Sequence, residues 1–147
     1  MVNVKVGRYE LMSGMMLGQG GQGSVLSGLN TQTNEPIAVK IIDVANPAAR
    51  LSFESEHRAA SKMSTSVKNV CEIKDFVMEE ECGFLIMKRY DCDLFSYAFE
   101  MRESPLTEKE IKVLFAKICK AIKGLHKKGI AHLDLKPENI LLDLSTM

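Results

Sequence analysis

The sequence has no excess of either charge. It contains 19 lysines and arginines against 19 aspartates and glutamates, so its formal net charge is +0. No overall electrostatic field therefore favours nucleic acid or an anionic membrane surface, and we expect neither as a partner. Lysines at positions 123, 127 and 128 do cluster, and we interpret them as the solvated end of a helix.

Long apolar runs are missing as well. None follows the opening "MVNVKVGRYE", so we expect no secretory signal, and none is long enough to span a bilayer. The four cysteines form no CxxC pair and lack metal-ligand spacing; they are Cys71, Cys82, Cys92 and Cys119. We interpret them as reduced thiols and expect an intracellular location, in the cytoplasm.

The order of the predicted elements indicates the fold class. The chain has 147 residues, 46% hydrophobic and 26% charged, which is enough for a globular domain with a real core. Strands are predicted at "YELMSGMMLG", "SVLSGLN" and "IAVKIIDV", and two more in "VCEIKDFVMEEECGFLIMKRY", around a polar turn at 79–83. A helix is predicted after Pro47, and most of the remainder is helical. Strands first and helices second predict an α+β fold with two lobes.

The clearest predicted element is a helix in "SPLTEKEIKVLFAKICKAIKGLHKKGI". Thr107 and Glu110 form a predicted capping box at its start, and Gly129 marks its end. One face carries a predicted apolar stripe of Ile111, Leu114, Phe115, Ile118, Ile122 and Leu125. Further on, "ILLD" is predicted to be a short buried strand.

Glycines are concentrated in "LGQGGQGSV", with the spacing Gly18-x-Gly20-x-x-Gly23. In a dinucleotide-binding unit this pattern opens a helix and precedes an acidic residue about 20 positions on. Here it opens a predicted strand, and the corresponding residue is Lys40, so that interpretation fails. The pattern favours a hairpin whose glycine tip lets backbone N–H groups approach phosphate oxygens. A flexible turn without a ligand is the alternative.

Lys40 lies in the middle of an apolar strand, where an ammonium group is costly without an anionic partner. Phosphate oxygens could supply one partner, and a carboxylate on the next helix could hold the lysine in place. Glu56 is the best candidate and Glu54 is the alternative. A lysine that extends along the edge of the sheet to water would need neither.

A second polar stretch, "HLDLKPEN", follows the long helix and has the pattern His-x-Asp-x-x-x-x-Asn. Asp134 could accept a proton from an attacking hydroxyl. Lys136 could neutralise charge on a transferring phosphoryl group, and Pro137 restricts it to extended backbone. Asn139 offers an oxygen ligand suited to magnesium. Each of these residues could instead cap a turn, but four of them at this spacing favour a catalytic loop.

Taken together, the glycine loop, the strand lysine and the His-x-Asp-x-x-x-x-Asn loop resemble the first part of a eukaryotic-type protein kinase domain of the serine/threonine class. The resemblance extends from about Tyr9 to Asp143. It implies a five-stranded antiparallel N-lobe with one helix, at about residues 9–90 including the hinge. Residues 91–147 would be the start of a helical C-lobe.

The resemblance also implies roles for individual residues, with ATP and Mg²⁺ as the expected cofactors and a protein as the substrate. The glycines would cover the ATP phosphates, Lys40 would contact the phosphates and pair with Glu56, and Asp134 would be the catalytic base. The residues implied to hold the nucleotide are Leu17, Gly18, Gln19, Gly20, Gly21, Gln22, Gly23, Ser24, Val25, Ala38, Lys40, Glu56, Met87, Lys88, Tyr90 and Leu141. Met87 would be the gatekeeper and 88–90 the hinge.

The sequence departs from the family pattern at three places. Gln22 stands where an aromatic residue is usual, and Leu133 replaces the arginine that pairs with an activation-loop phosphate. No Asp-Phe-Gly follows Asn139, although the family's aspartate there holds magnesium. We therefore expect negligible transferase activity from the 147 residues alone. We also expect a protein partner to cover the apolar stripe.

Two other functions remain as alternatives. A non-catalytic module could bind nucleotide without turnover, or dock on a partner. A small-molecule kinase of related fold could share the His-x-Asp-x-x-x-x-Asn loop, although "KPEN" after Asp134 disfavours it.

Overall fold

The computed structural model describes residues 3–20, 23–63 and 67–146. The chain divides into two compact units. The first comprises residues 1–60 and 72–89, and the second comprises residues 61–71 and 90–147. No helix in the described ranges is long and apolar enough to cross a membrane.

A six-stranded antiparallel sheet dominates the first unit, as predicted, with one short strand more than expected. Its spatial order is β1-β2-β3-β4-β6-β5. The strands are β1 (Val4–Val6), β2 (Tyr9–Gly20), β3 (Gly23–Asn30), β4 (Pro36–Asp43), β5 (Ile73–Glu79) and β6 (Cys82–Lys88). The additional strand is β1, which pairs with the start of β2 through Val4 opposite Leu11.

The hydrophobic core lies on one face of this sheet, because side chains alternate between the two faces of a strand. Its buried members are Val6, Tyr9, Leu11, Ile37, Val39, Phe84 and Ile86. The sheet curls around them. The Tyr9 hydroxyl donates to Asp75 Oδ2 over 2.9 Å and Arg8 Nη2 donates to the same oxygen over 3.1 Å, although β2 and β5 are not neighbours in the sheet.

Helix α1 (Pro47–Met63) packs on the opposite face of the sheet. Its start is capped by the Asn46 side chain, which accepts from the backbone N–H of Ala48 over 2.9 Å. The buried Phe53 makes an edge-to-face contact with Phe76 of β5, with ring centroids 5.5 Å apart. A side chain at Gly83 would lie 3.0 Å from the Phe53 ring, so the absence of one lets the helix approach the sheet.

The second unit contains two helices and a short antiparallel strand pair. Helix α2 (Leu94–Phe99) is capped by Asp93, which accepts from the backbone N–H of Ser96. Helix α3 (Glu108–Lys127) begins with the predicted capping box of Thr107 and Glu110. Gly129, at φ +70°, follows its end, so the predicted stop is confirmed.

Only part of the predicted stripe on α3 is buried. Leu114, Ala121 and Leu125 are buried, whereas Ile111 and Phe115 are 50% and 63% exposed. The predicted strand at "ILLD" is shorter than expected: β8 (Leu141–Leu142) pairs with β7 (Cys92–Asp93). Within β8, Leu142 is buried and Leu141 is 40% exposed, because alternate strand residues point to opposite sides.

Candidate functional site

The predicted glycine hairpin is present at the end of β2 and the start of β3. Gly18 lies opposite Val25, Gln19 opposite Ser24, and Gly20 opposite Gly23. The segment after the glycines is therefore a strand rather than a helix, which removes the dinucleotide-binding alternative. Two further residues expected to bind nucleotide, Gly21 and Gln22, lie outside the described residues.

Gly23 occupies a position that only glycine fits. Its φ is +123°, and a Cβ there would lie 2.0 Å from the backbone oxygen of Ile41. Gly18 differs, because a Cβ there would meet nothing within 4 Å. Next to the hairpin, Leu17 is 44% exposed. Glycine at positions 18, 20 and 23 places no Cβ between the backbone N–H groups of this hairpin and an approaching anion.

Strand register brings several of the predicted nucleotide-binding residues to one face of the sheet. Val25 lies opposite Lys40, and Ala38 lies opposite Met87. Directly opposed residues share a face, and residues two apart on one strand do so too. Val25, Ala38, Lys40 and Met87 therefore form one row, on the face away from the hydrophobic core.

The Lys40 ammonium pairs with a carboxylate on α1. Its Nζ lies 3.4 Å from Glu56 Oε1, and the two side chains are 18% and 35% exposed. Glu54, the alternative partner, instead pairs with Arg50 one helical turn earlier, also at 3.4 Å. The structure thus selects Glu56, since residues two positions apart on a helix point to different sides.

The end of β6 carries the residues expected at the hinge. Met87 is buried, and the Lys88 backbone N–H donates to the Glu72 carbonyl over 2.9 Å. Tyr90 is the first residue of the longer of the two segments that make up the second unit. Sequence reasoning placed Arg89 in the hinge at 88–90 but assigned no contact to its side chain, whose Nη1 donates to the hydroxyl of the buried Ser27 over 3.0 Å. No local signal could have indicated this contact, because the two residues are 62 positions apart.

The predicted catalytic loop brings Asp134, Lys136 and Asn139 together in the second unit. Lys136 Nζ lies 3.2 Å from Asp134 Oδ2, and Asn139 Nδ2 donates to the same oxygen over 2.8 Å. Asn139 Nδ2 also donates to the Asp134 backbone carbonyl over 2.9 Å. Pro137 begins a 3₁₀ turn, and Lys136 before it is extended, as predicted.

These two donors set the electrostatics of the loop. Hydrogen bonds from Lys136 and then Asn139 hold the pKa of Asp134 below its usual value, because they favour the ionised carboxylate. Asp134 is therefore ready to accept a hydrogen bond at neutral pH. Leu133, before it, has φ +63° and is 93% exposed, so no side-chain packing accompanies this unusual backbone.

The residues of this region are better suited to a nucleoside triphosphate than to a metal ion bound by protein side chains alone. The hairpin offers backbone donors, and Lys40 offers an ammonium already held by a carboxylate. No group of three or more histidine, cysteine, aspartate or glutamate side chains suited to a metal occurs in the ranges the structure describes. Asn139 donates through its amide nitrogen in both of its hydrogen bonds to Asp134, so its amide oxygen would be placed to serve as a magnesium ligand.

The hairpin, strand lysine and helix glutamate of the first unit, and the catalytic loop of the second, each match a motif of the kinase class. Residues 11–147 match the profile of the protein kinase domain, and the chain belongs to this family.

Curated relatives carry the serine/threonine designation in their names. The chain is similar to CBL-interacting serine/threonine-protein kinase 8 of Arabidopsis thaliana, with 33% identity over 144 residues, which are 97% of this chain and 32% of that protein. Serine/threonine-protein kinase dkf-1 of Caenorhabditis elegans is 30% identical over 142 residues, covering 91% and 19%. Human serine/threonine-protein kinase D3 is 27% identical over 134 residues, covering 91% and 15%. The chain thus spans less than a third of the length of each of these relatives.

Proposed function

We propose that this chain provides the nucleotide-binding and catalytic-loop part of a serine/threonine protein kinase that transfers a phosphoryl group from ATP to protein hydroxyls. The observation that carries the proposal is the ion pair between Lys40 and Glu56 on the face that also bears Val25 and Ala38. An apolar strand has no structural need for a largely buried ammonium. Phosphate oxygens bound at this site would be neutralised by that ammonium, which accounts for its position.

In the proposed reaction each site residue of the chain has a separate role. Backbone N–H groups of the glycine hairpin bind the phosphates, and Lys40, oriented by Glu56, neutralises their charge. The Asp134 carboxylate orients the substrate hydroxyl and takes up its proton as the oxygen–phosphorus bond forms and the bond to the departing ADP breaks. Lys136 offsets negative charge on the transferring group, and Asn139 contributes its oxygen to magnesium.

The adenine would lie against Leu17, Val25, Ala38 and Leu141, with Met87 beside it. Since the Lys88 N–H already donates to Glu72, Lys88 would have to contact the base through its carbonyl oxygen. Tyr90 would complete the hinge. We propose that residues 9–90 form the N-lobe and hinge, and that residues 91–147 begin the C-lobe.

The experiment that tests the proposal is a transfer assay with radiolabelled ATP and mixed serine, threonine and tyrosine peptides. We expect a longer protein that contains this chain together with an Asp-Phe-Gly segment to label serine and threonine peptides, and its Asp134→Asn variant to lose at least about 10²-fold in rate. Equal labelling by wild type and Asp134→Asn would refute the catalytic role. Labelling of small alcohols in preference to peptides would favour the small-molecule kinase alternative.

A narrower proposal concerns residues 1–147 by themselves. No Asp-Phe-Gly stands among them, and Asn139 alone is a weak magnesium site. We propose that this segment binds ATP but transfers phosphate negligibly, as a non-catalytic nucleotide-binding module would. Robust transfer by the segment that is lost in Asp134→Asn would contradict this. ATP binding that is indifferent to magnesium, without turnover, would support it.

Partners and location are proposed on physical grounds. Ile111, Val113 and Phe115 expose half or more of their surface on α3, which favours a protein surface that covers them. The four cysteines are free thiols, which favours a reducing, intracellular environment such as the cytoplasm.

A further inference from the structure

Ser27 is an unusual residue in the sheet of the first unit. Its exposed fraction is 0%, and among the described residues it is the only buried polar side chain. Its hydroxyl accepts a hydrogen bond from Nη1 of Arg89 over 3.0 Å, while Arg89 itself is exposed. A buried hydroxyl without a partner is costly, so the geometry favours persistence of this bond.

The bond joins the residue directly after β6 to β3, and β4 lies between these two strands in the sheet. Ser27 on β3 lies opposite Ala38 on β4, and Ala38 lies opposite Met87 on β6. Arg89, two residues after Met87, therefore reaches back across β4 to β3, a span of about 10 Å at the usual strand spacing. Ser27 belongs to the same face as Lys40, by the alternation of side chains.

The segment leaving β6 is thus held at two points. The Lys88 backbone N–H donates to the Glu72 carbonyl over 2.9 Å, which ties the segment to the chain just before β5. Arg89 ties the next residue to β3. The two bonds pull toward opposite sides of the sheet, so together they limit lateral movement of this backbone.

We propose that Arg89 is a positioning residue that, through Ser27, fixes the segment after β6 for recognition of the purine base of a nucleoside triphosphate. The inference rests on the proposed function and adds to it a role for the side chain of Arg89, which lies in the proposed hinge at 88–90. Arg89 acts on the base end of the ligand only. The phosphate end would be bound by the glycine hairpin and Lys40.

Calorimetric titration of the full chain with two probes tests this separation. The probes are ATP and inorganic tripolyphosphate, which has the phosphates but no base. We expect Arg89→Met, which keeps the length of the side chain and removes its donors, to weaken ATP binding about tenfold. Tripolyphosphate binding should stay within about twofold of wild type. Arg8→Met, which removes an exposed arginine bonded to Asp75 in the same unit, is the matched control and should leave both affinities unchanged.

A double variant distinguishes positioning from mere stabilisation. The Arg89→Met variant removes the hydrogen-bond donor of the buried Ser27 hydroxyl. The midpoint temperature of thermal unfolding of this variant should therefore fall. The double variant Arg89→Met/Ser27→Ala also lacks that hydroxyl. Its midpoint temperature of unfolding should return toward the wild-type value, whereas its ATP binding should stay weak. Recovery of ATP affinity along with the midpoint would overturn the inference.

Other outcomes are equally decisive. Wild-type ATP affinity in Arg89→Met would overturn the inference and leave the proposed function standing. An equal loss of ATP and tripolyphosphate binding would also overturn it, because Arg89 would then not act at the base. Failure of the wild-type chain to bind ATP at all would overturn both.

Discussion

Lys40 on β4 and Glu56 on α1 face each other with 3.4 Å between Nζ and Oε1, and both side chains are more buried than exposed. Glu54, two residues earlier, points elsewhere and pairs with Arg50. The helix thus presents one carboxylate to the sheet and one to its own surface. This arrangement makes Glu54 a matched control for Glu56.

The first prediction concerns this pair. In Glu56→Gln the ammonium loses its charged partner and its fixed orientation, so kcat/KM for ATP should fall about 10²-fold. Glu54→Gln removes an equal charge from the same helix and should change kcat/KM by no more than about twofold. Initial-rate kinetics at saturating peptide, with a longer protein that contains this chain and an Asp-Phe-Gly segment, measure both. Similar losses in the two variants would mean that the helix charge matters and the pair does not.

The second prediction concerns the glycine hairpin. Gly23→Ala forces a side chain onto φ +123° and against the Ile41 backbone oxygen, so the free energy of unfolding should fall by about 1–3 kcal/mol. Gly18→Ala has open space and should change the free energy of unfolding by less than about 1 kcal/mol. Chemical denaturation monitored by circular dichroism measures the difference. Equal stability of the two variants would argue against the described hairpin.

The third prediction concerns the pH dependence of transfer by a longer protein that contains this chain and an Asp-Phe-Gly segment. Donation from Lys136 and Asn139 lowers the pKa of Asp134, so the carboxylate stays ionised to lower pH than an ordinary aspartate. Activity that needs the ionised form is present above this pKa and is lost as the pH falls through it. Lys136→Met removes the first of the two donors. The pKa of Asp134 should rise, and the acidic limb of kcat/KM should move to higher pH.

Glu138→Gln is the control for that profile, since this exposed carboxylate is on the same loop and makes none of these bonds. Its acidic limb should coincide with that of wild type. An unmoved limb in Lys136→Met would show that Asp134 is not the group whose ionisation governs the rate.

The fourth prediction concerns the start of α3. Thr107 Oγ1 accepts from the Glu110 backbone N–H, and Glu110 Oε2 accepts from the Thr107 backbone N–H over 2.7 Å. Thr107→Ala should therefore lower the free energy of unfolding by about 1 kcal/mol, whereas Thr107→Ser keeps the hydroxyl and should lose less than half of that.

The cap also has a pH signature. Hydrogen bonds from Thr107 hold the pKa of Glu110 below its usual value, so its stabilisation is present above the unfolded-state pKa and is lost as the pH falls through the folded-state pKa. Thermal denaturation from pH 7 downward should show this loss in wild type. A wild-type curve that runs parallel to that of Glu110→Gln would contradict the cap's contribution.

Local patterns in the sequence were sufficient to predict most helices and strands and the local geometry around several candidate site residues. The glycine spacing predicted the hairpin, and a β-branched run predicted the strand that carries Lys40. Thr107 and Glu110 predicted the start of α3, and Pro137 predicted the extended Lys136. Each of these features depends on residues a few positions apart, whose geometry the backbone itself restricts.

Tertiary structure alone decided the relationships between distant residues. The choice of Glu56 over Glu54 depends on how α1 is rotated against the sheet. The bonds from Tyr9 to Asp75 and from Arg89 to Ser27 span 66 and 62 positions, and they exist because the sheet curls and its strands take one register. The helical period identified the apolar stripe of α3, but only packing determined that Leu114 is buried while Phe115 is exposed. Register and packing are collective properties of many side chains, which is why no short stretch of the sequence specifies them.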